Sequence, residues 1–79
     1  MVKPLNELRV DESGVVCAIR GGEGLLNRLG ALGIIPGKRI IKRSAMFMRG
    51  PVTVQVNRSQ VALGFGMAAK ILVEVDRTE

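Results

Sequence analysis

The chain has 79 residues, a formal net charge of +5, and a composition that is 47% hydrophobic and 3% aromatic, with one Cys and no His, Trp or Tyr. A chain this short supports one small aliphatic core, burying only about 60–65% of its unfolded surface, so residues 1–79 are read as a single domain. A lone cysteine excludes an internal disulfide and points to a reducing compartment, and the absence of His removes the commonest general base.

The opening MVKPLNELRVDE carries charges where a signal peptide needs an apolar region, so no export signal is expected. The longest stretch without a charged residue runs from Ser59 to Ala69 and is too short for a membrane span, which needs about 20 apolar residues. The expectation is a soluble, cytoplasmic protein.

In chain order, Pro4 to Leu8 reads as a short helical turn that places Leu5 and Leu8 against the core, and Val10 to Gly14 is polar and turn-rich. Val15 to Ile19 follows as a strand, with Cys17 expected on the buried face it would share with Val15 and Ile19. Gly21-Gly22 stops that strand and a short helix over residues 23–32 begins. Leu25, Leu29 and Leu32 stand at i, i+4 and i+7 and are expected in the core, with Leu26 off the stripe and partly exposed. Gly33 suits a left-handed helix cap, which would fold Ile34 back onto Leu29. Pro36-Gly37 suits the central positions of a type II turn.

Beyond the turn, Lys38 to Ala45 gives a strand signal weaker than clean alternation, whereas Val52 to Val56 alternates with three valines on one face. Met46, Phe47, Met48 and Arg49, ahead of Gly50-Pro51, form the connection between them. Asn57-Arg58-Ser59 is a second turn, leading to a strand at Val61-Ala62-Leu63, a helical turn over 64–69 and a last strand over 71–75. Five short strands and one short helix predict a mainly β protein. Its form would be a small, strongly bent antiparallel barrel, with the helix between the first and second strands.

All seven acidic residues lie in 7–23 or 74–79, so the segment 24–73 is acid-free while it holds Arg28, Lys38, Arg39, Lys42, Arg43, Arg49, Arg58 and Lys70. Such a segment suits nucleic acid, an anionic surface or an acidic protein face. The scarcity of aromatics leaves nucleic acid without base stacking, so phosphate contacts would have to carry the affinity.

Chemistry is sparse. One Cys and scattered Met make a poor metal set, and Glu74 with Asp76 at i, i+2 reads as solvated charge, so no metal site is expected. Gly21-Gly22-Glu23-Gly24 opens a helix but lacks the lysine of a phosphate loop. No catalytic residue and no cofactor are expected, and the chain is read as a non-enzyme acting through surfaces. Met46, Phe47, Met48 and Arg49 are candidate partner-binding residues, because three apolar residues in a row cannot all face inward on a strand. Leu26 joins them. Gly-rich corners and strand edges also permit self-association into a homo-oligomer.

Arg28-Leu29, Leu32-Gly33-Ile34, Pro36-Gly37, Gly50-Pro51, Ala62-Leu63, and Ala68 followed by Ile71 and Val73, taken in this order and spacing, resemble the ferrous iron transport protein A (FeoA) family of small SH3-like barrels. The likeness covers the chain from Pro4 to Val75. It implies an SH3-like barrel and a cytoplasmic accessory protein of ferrous iron uptake. The implied partner is the cytoplasmic region of a FeoB-like GTP-binding membrane transporter. The same barrel resembles the C-terminal domain of metal-dependent repressors, which leaves a stand-alone relative of that domain, or a nucleic-acid-binding module, as alternatives.

Overall fold

A computed structural model describes residues 1–45 and 50–76. Six strands form one antiparallel sheet: β1 (Val2–Pro4), β2 (Ser13–Ile19), β3 (Arg39–Ala45), β4 (Val52–Val56), β5 (Ser59–Leu63) and β6 (Ile71–Val75), in the order β1-β6-β2-β3-β4-β5. A 3-10 turn (Leu5–Glu7) follows β1, helix α1 (Glu23–Ala31) links β2 to β3, and α2 (Phe65–Ala68) links β5 to β6.

The expected mainly β architecture is present, with two corrections. Among the described residues there are six strands and not five, because Val2–Pro4 pairs with β6, which moves α1 from between the first and second strands to between the second and third. A three-residue strand ending in proline has no periodicity to display, so only its distant partner reveals it. The sheet is also not closed strand to strand: its outer members are β1 and β5. Between them α2 packs on the 3-10 turn, and Leu5, Leu63 and Ala68 all join one buried cluster.

That cluster follows directly from alternation. Val52, Val54 and Val56 of β4 point inward, as do Ile40 of β3, Val16 of β2, and Ile71 and Val73 of β6. Leu5 and Leu8 are buried as expected. The uneven pattern of β3 has a cause in register. Pairing with β4 shifts between Lys42 and Ser44, so Arg43 is an extra bulge residue and the alternation breaks there.

A matching shift in the β2–β6 ladder falls between Val16 and Ala18, and it overturns the expectation for Cys17. The bulge keeps both Val16 and Ile19 against the core and turns Cys17 outward, exposed, with its Sγ donating to the Leu72 carbonyl at 3.4 Å. Gly14 marks the tightest approach in the same ladder: a Cβ there would stand 2.3 Å from the Glu74 carbonyl oxygen.

Candidate functional site

The helix and its exit turn form the most sharply specified surface. Ile34 N–H donates to Leu29 O at 2.9 Å and Gly33 N–H to Gly30 O at 3.0 Å, the paired hydrogen bonds of a Schellman cap, with Gly33 at φ 86°. Leu29 and Ile34 are both fully buried, so the cap is sealed from inside as the spacing predicts. Lys38 N–H closes the following turn on Ile35 O at 3.1 Å, with Gly37 at φ 95°.

What points outward matters more. Leu26 is 41% exposed, Leu32 38% and Ile35 44%. Leu32, expected in the core, is corrected: the helix stops at Ala31, and Leu32 is the cap residue, past the last turn that faces the sheet. Leu25 does pack against the core. Gly30 lies one turn beyond Leu26, and a Cβ on it would meet Ile35 Cγ2 at 3.8 Å. Leu26, Gly30 and Ile35 therefore make one apolar strip along the outside of α1. Ile35 escaped the sequence reading, although the Ile34-Ile35 pair held the signal: a left-handed cap folds back only one of them. Met46, Phe47, Met48 and Arg49, the other candidate partner residues, lie outside the described residues.

The basic stretch is not the continuous cationic face that its sequence suggests. Lys42 is 5% exposed and points into the protein, where its Nζ donates to Leu8 O at 2.6 Å and Asn6 O at 3.0 Å. Burial pushes its ammonium below the ordinary lysine range, and the Glu12 carboxylate works in the opposite direction. Arg39 NH1 contacts Asp76 Oδ2 at 2.5 Å, Arg43 NH1 lies 3.4 Å from Asp11 Oδ1, and Lys38 Nζ donates to Asn57 Oδ1 at 3.4 Å.

The acidic residues are correspondingly engaged. Asp76, expected as plain solvated charge, accepts from Ser13 Oγ at 2.7 Å and from Arg39, and these hydrogen bonds, Ser13's first, hold its carboxyl below the usual range. Glu74 pairs with the N-terminal ammonium of Met1. Glu12 accepts from the Arg9 backbone N–H at 2.8 Å and lies 3.0 Å from Lys3 Nζ, and its carboxyl is likewise lowered. Among the described residues no three His, Cys, Asp or Glu side chains converge as a metal site would require, and no helix is long and apolar enough to cross a membrane.

Known proteins share this fold. A FeoA domain family model matches residues 3–75. A Methanocaldococcus jannaschii protein named for Fe(2+) transport protein A is 34% identical over 71 residues, covering 90% of this chain and 84% of its own length. The crystal structure of an iron uptake regulatory protein (FeoA) superposes with a TM-score of 0.86 at 32% identity, over 95% of this chain and 97% of that one. A zinc complex of Stenotrophomonas maltophilia FeoA, described as an SH3 domain protein, gives a TM-score of 0.73 at 26% identity over 92% and 88%. A manganese-dependent transcriptional repressor shares the fold at TM-score 0.86 and 23% identity, with 94% of this chain covering 41% of the repressor. By the family match, the identity to an iron-transport relative and the shared SH3-like fold, the chain belongs to the FeoA family of iron-transport proteins.

Proposed function

We propose that this chain is a non-catalytic cytoplasmic accessory protein of ferrous iron uptake, acting by contact with the cytoplasmic region of a FeoB-like GTP-binding transporter. The observation that carries this reading is the apolar strip Leu26–Gly30–Ile35, held on a capped helix in a segment that contains no acid from Gly24 to Val73. An apolar strip within a cationic segment suits a partner surface that is apolar at its centre and acidic at its rim. The Stenotrophomonas relative has been put forward as a ferrous iron transport activating factor, and the same role is proposed here. A protein with no His and one Cys acts more readily through contact than through chemistry. Nucleic acid is the weaker alternative, since Lys42 is buried, Arg43 is paired with Asp11 and only 3% of the chain is aromatic.

Binding to the purified cytoplasmic region of the transporter, with and without GTP, tests the proposal. Leu26→Glu and Ile35→Glu should each weaken binding by about tenfold or more while leaving the melting temperature within a few degrees of wild type. Phe47→Glu and Met48→Glu test the second candidate surface in the same assay. Unchanged affinity in all four variants sinks the docking reading.

A further inference from the structure

On the outer face of the sheet, beside the helix cap, a groove of about 320 Å³ is lined by Lys38, Arg39, Ile41, Gln55 and Asn57. Its size lies at the lower end of the range for small-molecule sites, about 300–1,000 Å³. Register explains why these residues meet. Ile40 faces Val56 and Ile41 faces Gln55 across the β3–β4 ladder, which brings Arg39 alongside Asn57. Four of the five lining residues carry N–H donors, Ile41 supplies an apolar floor, and among the described residues no carboxylate lines the groove.

The two cations are held differently. Arg39 spends NH1 on Asp76 outside the lining, and its fork has further donors. Among the described residues Lys38 has no carboxylate partner, only a long 3.4 Å contact to a neutral amide oxygen. Asn57 is fixed from behind as well, with its Nδ2 packed so close to Gly33 that a Cβ there would lie 2.8 Å away. The groove thus presents an ammonium with no carboxylate partner among the described residues, a guanidinium fork and two amides around one apolar residue. Lysine beside an arginine fork suits a compact, multiply charged oxyanion.

We infer that this groove binds a phosphate group carried on a small molecule or a lipid headgroup, at a site separate from the apolar strip on α1. The experiment is a titration of the isotopically labelled protein with inorganic pyrophosphate at physiological salt, followed by amide and side-chain NMR shifts. Saturable shifts confined to Lys38, Arg39, Ile41, Gln55 and Asn57 are expected.

Lys38→Ala and Arg39→Gln should each weaken binding by about tenfold, and Arg28→Gln, a charge loss outside the groove, should leave it nearly unchanged. Asp76→Asn frees the Arg39 fork and should tighten binding by about threefold or more, beyond the effect of Glu23→Gln, which makes the same change of net charge elsewhere. Sedimentation with phosphatidylcholine vesicles containing phosphatidylglycerol separates the sources: capture that Lys38→Ala abolishes assigns a headgroup, and pyrophosphate binding without capture assigns a free phosphate. Shifts spread over all exposed cations, or equal affinity in Lys38→Ala and wild type, overturn the inference. Preferential, groove-centred binding of an RNA pool replaces it with the nucleic-acid reading.

Discussion

At the end of α1 the backbone satisfies itself, whereas at the 3-10 turn the carbonyls of Asn6 and Leu8 depend on Lys42, a side chain 36 and 34 residues further along the chain. Both corners bury leucine side chains, Leu29 in one and Leu5 and Leu8 in the other, and both lead into strands of the sheet. The helix corner is local: a glycine in the left-handed region and two short-range hydrogen bonds close it. The N-terminal corner is assembled from distant parts, with Lys42 brought in by β3 and Glu12 accepting from Arg9 and facing Lys3. Even then Asn6 Oδ1 is buried without a partner among the described residues. A corner closed by one residue's backbone preference should fail by strain. A corner closed by one distant ammonium should fail by leaving polar groups unsatisfied.

The largest effect should come from Lys42→Met. The substitution nearly keeps the length of the side chain but leaves the buried Leu8 carbonyl and the partly buried Asn6 carbonyl without a donor, and it should lower stability by about 2–4 kcal/mol in urea unfolding. A loss smaller than that of any helix-cap variant would break the contrast between the corners. Gly33→Ala comes next. At φ 86° an alanine is strained by about 1–2 kcal/mol, and its Cβ would lie 2.8 Å from Asn57 Nδ2, so about 2 kcal/mol in all is expected. Gly33→Asn tolerates the backbone better but keeps the contact, and so sharpens the split between the two causes.

The smallest effect is the dependence on acid. The folded-state carboxyls of Glu12 and Asp76 sit below their ordinary values of 4.5 and 3.8, so the folded state binds these protons less readily than the unfolded chain. Their contribution is therefore fully present above those values and lost as pH falls through the lowered ones. Melting temperature should decline as pH drops from about 5 to about 3, and Glu12→Gln should flatten that decline. A wild-type melt independent of pH over this window would remove both groups from the account.

What could be read from residues alone follows the same division. Gly33, Ile34, Pro36 and Gly37 announce the helix corner because each acts within a few residues of its neighbours, and the three valines of β4 announce their buried face by simple alternation. Cys17 misled because a bulge resets the alternation, the similar shift at Arg43 blurred the pattern of β3, and bulges are decided between strands. Lys42 looked like surface charge because its carbonyl partners lie on another element. Of the candidate site, Leu26 was legible as a leucine off the stripe, but Ile35 emerges only once the cap shows which isoleucine is folded inward.

The position of β6 has a consequence for how the protein is made. Ile71–Val75 is the last strand in the chain, yet it lies between β1 and β2, the two earliest strands. Until it arrives, Val2–Pro4 has no sheet partner and β2 keeps an open edge, so the core cannot close on a growing chain. Synthesis should therefore run well ahead of folding, leaving an interval in which these edges are available to chaperones or to other nascent copies. A truncation that removes Ile71–Val75 makes that interval permanent.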